Sequence, residues 1–276
     1  MNAELRNYIL LKEYLNSEEL GRLKCRSIGY DGCVYFLFFG NTYKAVKLTV
    51  DWNDGIIADK KIYDLGVHEI DPYFIQPIGD ELLLVDARSE FSNIGAEKNA
   101  VIVGADGKIT SRFCLGDGIE CCHVTSDERI VIAYFDEGIF GNNGWGEVDS
   151  PAPLGNAGLV VWDKNGGKIW EHDQSKFFVS DCNAMNISDD GRIYWLADKG
   201  SEYSLCAYDC DGSAFSNITA LTSDSNGFLI LDNGFVFGGD YTHRSYFKCL
   251  NKSGEWQRFK FLHNGKEIIS ENYFFR

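Results

Sequence analysis

The sequence predicts an all-β protein, a closed β-propeller of four-stranded antiparallel blades. Three observations carry that reading. Short runs rich in Val, Ile, Tyr and Phe recur along the chain, bounded by Gly, Asp or Asn. Asp-Gly and Asn-Gly turns, which tolerate positive φ, separate them in two alternating series. Each series returns after forty-odd residues, the period of a blade made from two hairpins.

Taken in order, Glu13 to Leu23 fits one short helix, and nothing later sustains a helical stripe. The strand candidates are CVYFLFF and YKAVKLTV, then ELLLVDA and NAVIVG, RIVIAYF and GLVVWD, RIYWLAD and YSLCAYD, and finally GFVFGG and SYFKCL. One series of turns falls at Asp31-Gly32, Gly79-Asp80, Asp127-Glu128, Asp190-Gly191 and Asn233-Gly234. The other falls at Asp54-Gly55, Asp106-Gly107, Asn165-Gly166, Asp211-Gly212 and Ser253-Gly254. These turns mark five blades. The strand-like ends RNYILLKEY and GKEIISENYFFR are expected to pair and complete a sixth. Six blades is the preferred count and five the alternative, in a single domain over residues 1–276. Closure matters because a complete ring leaves only short, protected edges.

With 276 residues, 45% hydrophobic and 14% aromatic, the chain can bury a substantial core. Its net charge of −15, from 41 acidic against 26 basic residues, argues against a nucleic-acid partner, which needs Lys and Arg to displace counterions. The nine cysteines are odd in number and several fall in strand runs. The start, MNAELRNYILLKEYLNSEEL, has early charges and no long apolar stretch, and no run is long enough to span a membrane. A reducing cytoplasm with all thiols free is therefore expected.

One interval between turns is markedly longer, and the excess is FDEGIFGNNGWGEVDSPAPLGNAG, with its insertion at 136–157. If strands are lettered A to D outward, this segment joins B to C in the third blade. LGDGIE and DQSKFFVSDCN then belong to the same end, as do ARSEF, ADKGSE and GDYTHRS from neighbouring blades. The opposite end receives mostly tight hairpins. Loops on a rigid scaffold are where recognition residues gather. The candidate ligand-binding set is Arg88, Asp117, Glu120, Asp136, Glu137, Asn143, Trp145, Asp181 and Asn183. Asp240, Tyr241, His243 and Arg244 are expected on the same face.

GDGIE, YFDEGIFGNNGWG, LGNAGLVVWD and DCNAMN, with QPIGDELLLVDAR and NAVIVGADGKI upstream, resemble a poorly characterised bacterial family of propeller-like proteins. The resemblance implies the fold and the importance of this face, and supplies no catalytic residue. The repeats are also generically similar to WD-repeat propellers. They lack the Gly-His and Trp-Asp pair of that class, which Val161-Trp162-Asp163 only echoes.

Carboxylates at one mouth suit Ca²⁺ or Mg²⁺, as in a lactonase-like hydrolase that polarises a carbonyl. The same acids also serve as solvated turn formers, and no metal set is singled out. Cys121, Cys122 and His123 alternate across a strand, so they do not converge. GNNGWG lacks the Lys and helix of a phosphate loop. The expectation is a recognition module for a protein or a small polar ligand, with the hydrolase and a plain scaffold as alternatives. Trp145 is weighed both as a contact residue and as an anchor for the loop.

Overall fold

The computed structural model describes residues 2–4, 15, 19, 21–66, 70–200, 202–209, 211–221, 224–239, 247–263 and 266–267. It is an all-β propeller with five four-stranded antiparallel blades. The expected helix over Glu13 to Leu23 falls largely outside the described residues, as do the head RNYILLKEY and most of the tail.

Two compact units are present, Asn7–Asp173 and Met1–Arg6 with Gln174–Arg276. The first unit holds three blades. After β1 (Asn2–Glu4), β2 (Leu23–Ile28), β3 (Val34–Phe39), β4 (Tyr43–Asp51) and β5 (Ile56–Gly66) make the first blade in sequence order. In the second blade, β6 (Phe74–Ile78), β7 (Glu81–Val85), β10 (Ala100–Val103) and β11 (Ile109–Phe113) pair likewise. A small hairpin, β8 (Phe91–Ser92) with β9 (Gly95–Ala96), is inserted between its second and third strands. The third blade is β12 (Ile119–Val124), β13 (Ile130–Tyr134), β14 (Leu159–Trp162) and β15 (Lys168–Glu171).

The second unit holds two blades. The fourth is β16 (Asp181–Ile187), β17 (Ile193–Asp198), β18 (Tyr203–Tyr208) and β19 (Phe215–Leu221). The fifth is β20 (Phe228–Leu231), β21 (Gly234–Phe237), β22 (Phe247–Asn251) and β23 (Trp256–His263). Among the described residues the count is therefore five, the alternative, and the segments expected to complete a sixth blade lie largely outside them. The described parts of the chain ends, β1 and β24 (Lys266–Glu267), both pair with β23 and extend the fifth blade.

Burial explains the strand patterns. A blade's middle strands are covered on both faces, so VYFLFF, AVIV and IVIAY read as continuous apolar runs. Outermost strands such as β11 and β15 are covered on one face at most and carry Lys, Thr, Ser and Glu. Alternate residues of the first two blades interlock: Tyr35, Leu37, Tyr63 and Leu65 meet Leu82, Leu84, Val101 and Val103 in one buried cluster.

Polar bonds run along the innermost strands beside this apolar packing. Ser27 Oγ on β2 donates to the Ile75 carbonyl on β6, and Gln76 Nε2 donates at 3.1 Å to the Cys122 carbonyl on β12. In the other unit, Asn186 Nδ2 on β16 donates at 2.8 Å to the Phe228 carbonyl on β20.

The tight turns match expectation. Gly32, Gly107, Gly166, Gly191, Gly212 and Gly254 all adopt positive φ. Glu128 takes the same place in the third blade's first hairpin at φ 63°, and its carboxylate meets Lys164 at 2.7 Å. Eight cysteines are described and all are free thiols. Burial pushes the Cys25 and Cys206 thiols up to about 12, so they behave as small apolar side chains. Among the described residues, no helix is long and apolar enough to cross a membrane.

Candidate functional site

Three connections meet at one end of the first unit: residues 86–99 in the second blade, 114–118 between blades, and 135–158 in the third blade. The long segment begins with a short helix, α1 (Asp136–Phe140), where the sequence suggested neither helix nor strand. Asp136 and Glu137 lie in its first turn, where acidic side chains complement the helix dipole. Gly138 is required by contact rather than by φ. A Cβ there would lie 2.4 Å from the Asp117 carbonyl oxygen, and one on Gly118 would lie 2.3 Å from Gly138 N. The helix is pressed directly onto the 114–118 backbone.

Asp117 is the hub. It is 2% exposed, yet its carboxylate receives donors from two other connections. Arg88 Nε and Nη2 each donate to it at 2.9 Å, the Ser89 amide donates at 2.9 Å, and Asn143 Nδ2 reaches both oxygens at 3.3 Å. The Arg88 fork also meets Glu137 at 2.7 Å and lies over the Phe135 ring with 5.5 Å from Cζ to centroid. Burial alone would lower the Arg88 pKa, but the bonds to Glu137 and Asp117 outweigh it and hold it above its ordinary value. Glu137 is held below the usual carboxylate range, first by Asn142, which donates at 2.6 Å, and then by Arg88.

Trp145 is an anchor. It is 3% exposed, its indole Nε1 donates to the Ser89 carbonyl at 2.8 Å, and its ring lies 5.2 Å from that of Phe91. Gly144 lets the two segments touch, because a Cβ there would lie 2.0 Å from the Phe91 carbonyl oxygen. The backbones are joined as well: the Phe91 amide donates to the Asn143 carbonyl and the Ile119 amide to the Ala87 carbonyl.

Several residues of this framework had no sequence signal. Buried Asn99 donates to the Asp86 and Gly116 carbonyls at 2.9 and 2.8 Å and accepts the Leu115 amide at 2.9 Å. Ser89 Oγ donates to the Glu97 carbonyl, and Tyr134 OH donates to the Leu115 carbonyl. Only the strict placement of donors and acceptors in three dimensions identifies them.

The expected set thus divides. Arg88, Asp117, Glu137, Asn143 and Trp145 come together, and they are largely engaged with one another. Asp136 is exposed on α1. Glu120, expected in a connection, is an exposed residue of β12 at a break in its register with β13. Asn183 occupies the matching break on β16, between Cys182 and Ala184, and Asp181 starts that strand opposite Asp198. Both belong to the second unit. Such bulges recur where a strand must re-aim a side chain. Asp240, Tyr241, His243 and Arg244 lie outside the described residues.

The carboxylates do not gather as a metal site would require. Among the described residues, no three His, Cys, Asp or Glu side chains converge as ligands. Asp117, the most buried acid of the set, already accepts a bidentate guanidinium, an amide N–H and an Asn side chain. A Ca²⁺ or Mg²⁺ ion there would have to displace Arg88.

The fold and its loop-bearing end define a β-propeller. No family model and no curated protein sequence matches the chain. Among solved structures it is similar to a catalytically inactive virginiamycin B lyase from Staphylococcus aureus with quinupristin. The identity is 11%, over 90% of this chain and 77% of that one, with a TM-score of 0.51. It is similar also to TolB from Acinetobacter baumannii, 12% identical over 86% of this chain and 53% of that one, TM-score 0.51. YCF48 bound to D1 peptide is 14% identical over 86% of this chain and 66% of that one, TM-score 0.47. Likenesses at this identity show the fold alone, and the quinupristin and the peptide belong to those other proteins.

Proposed function

We propose that the connections 86–99 and 135–158 form a recognition surface for a protein segment carrying both apolar and basic side chains. The observation that carries this reading is what these loops turn outward. The polar groups suited to a small ligand are spent on holding the loops together, while Ile94, Val148 and Phe140 are 94%, 92% and 58% exposed. Exposed apolar side chains on a rigid, well-bonded base are what an interface buries at its centre. The same connections carry exposed Glu90, Glu97, Asp136, Glu147 and Asp149, against Arg88 and Lys98. That acidic excess favours a basic partner and steers its approach.

The test is a selection of peptides from a random display library on the purified protein, repeated with the I94S/F140S/V148S triple variant. Wild type enriches peptides that pair Lys or Arg with large apolar residues. The triple variant loses them while keeping its melting temperature. Peptides that bind both proteins equally would place recognition elsewhere.

A further inference from the structure

A ladder of aromatic rings crosses the fifth blade and ends in a cleft. Phe228 on β20 lies 5.7 Å from Phe237 on β21, and Phe237 lies 5.5 Å from Trp256 on β23. Phe235 joins from the side, 6.4 Å from Phe228 and 6.2 Å from Phe237. These centroid separations fall within the roughly 4.5–7 Å of attractive ring pairs. Burial changes along the ladder. Phe228 and Phe237 are 1% and 2% exposed, whereas Trp256 is 44% exposed. The last ring of a buried aromatic series thus keeps nearly half of its surface in water.

The cleft lies between the outermost strand of the fourth blade and the fifth blade, with a volume of about 230 Å³. Phe237 and Trp256 line it on one side, Ala220 and Leu221 on the other. Elsewhere in the packing of these two blades, Leu205, Leu221, Phe237 and Leu250 fill the space between them. Asp224, Lys248 and Arg258 also line the cleft, and each already has a partner. An ionic ligand would compete with those contacts, so charge does not select the occupant. What the cleft leaves open is ring surface, with the Gln257 amide at its rim to meet one polar group. An apolar cavity of about 150 Å³ accommodates benzene, so this one takes one ring or two fused rings. We infer that the cleft binds a small uncharged aromatic molecule, its ring laid on Trp256 as the next member of the ladder.

Calorimetric titration of the full chain with 2-naphthol tests the inference. Saturable one-to-one binding is expected. Trp256→Ala should weaken it about tenfold, the equivalent of one ring contact. Ala220→Trp, at an exposed position of the facing wall, should fill the cleft and abolish binding. Decahydro-2-naphthol, puckered and without a ring face, should bind about tenfold more weakly than 2-naphthol. The I94S/F140S/V148S variant, altered only in the other unit, should leave the titration unchanged, so this inference and the proposed recognition surface fail separately. If Trp256→Ala does not fold, Ala220→Trp carries the test. Absence of saturable binding, or wild-type affinity in folded Trp256→Ala or in Ala220→Trp, would overturn the inference. So would tighter binding of 2-naphthoate or 2-naphthylmethylammonium, since charge would then select the ligand.

Discussion

Asp117 and Asp31 are both carboxylates beside a cation, and both accept hydrogen bonds from three residues. Their partners differ in distance along the chain. Asp31 takes the Cys33 amide, Tyr35 OH and Lys47 Nζ, which are 2, 4 and 16 residues away. It stiffens one hairpin end of one blade. Asp117 takes Arg88, Ser89 and Asn143, which are 29, 28 and 26 residues away, and ties three connections together. Their side chains are 26% and 1% exposed respectively. The same chemistry thus finishes a turn in one place and builds a platform in the other.

The largest expected effect is at the platform. Asp117→Ala leaves Arg88 with Glu137 alone as counter-charge and strips the buried Ser89 amide of its acceptor, and is expected to cost about 3–5 kcal/mol, read from urea unfolding at neutral pH. A loss no larger than that of Asp31→Asn would erase the distinction between the two sites. Trp145→Ala removes a packed indole and its bond to Ser89, and is expected to cost about 3–5 kcal/mol by the same measurement. A melting temperature near wild type would instead make Trp145 a surface contact. Asp31→Asn keeps the shape and loses the charge on a partly solvated group, so about 1 kcal/mol is expected.

Acid unfolding sharpens the comparison further. Partial burial pushes the Asp31 carboxyl up, but Lys47, Tyr35 and the Cys33 amide outweigh it and leave its pKa below the ordinary value. The stability it contributes is therefore present above the unfolded value, about 3.9, and is lost as pH falls through the folded value. Asp31→Asn should flatten the acid limb below about pH 4 and leave the neutral plateau lower. A variant whose acid limb parallels wild type would show that Asp31 does not set it. The smallest effect is at Glu128, whose positive φ is relieved by Glu128→Gly. With the exposed Lys164 pair lost at the same time, a net gain of about 0.5 kcal/mol or less is expected in thermal melts.

The two sites also mark how far a sequence can be read. Asp31 was legible because Asp-Gly chemistry is local, and the same logic located nearly every hairpin and the four-stranded blade. The long third-blade segment was legible as an interruption of that period. Its internal logic was not, because Asn99, Ser89 and Gly138 are defined by partners in other connections. Trp145 could be foreseen as contact or anchor, but its burial depends on Phe91 and the inserted hairpin, which have no periodic signature. The described residues form five blades, and the described parts of the chain ends, residues 2–4 and 266–267, pair with β23. Ile94 and Val148 passed unnoticed because a single apolar residue in a polar loop carries no pattern.

The polar bonds of the innermost strands have a consequence for synthesis. Each donor lies in the earlier blade and each acceptor in the next, at separations of 48, 46 and 42 residues. A chain leaving the ribosome therefore exposes the Ser27 hydroxyl and the Gln76 and Asn186 amides before the carbonyl that receives each has been made. The first, second and fourth blades thus each hold a donor on the inner seam that only water answers until the next blade arrives. A fragment ending after the second or fourth blade leaves that donor to solvent, which ties the inner seam of these blades to translation of the one behind.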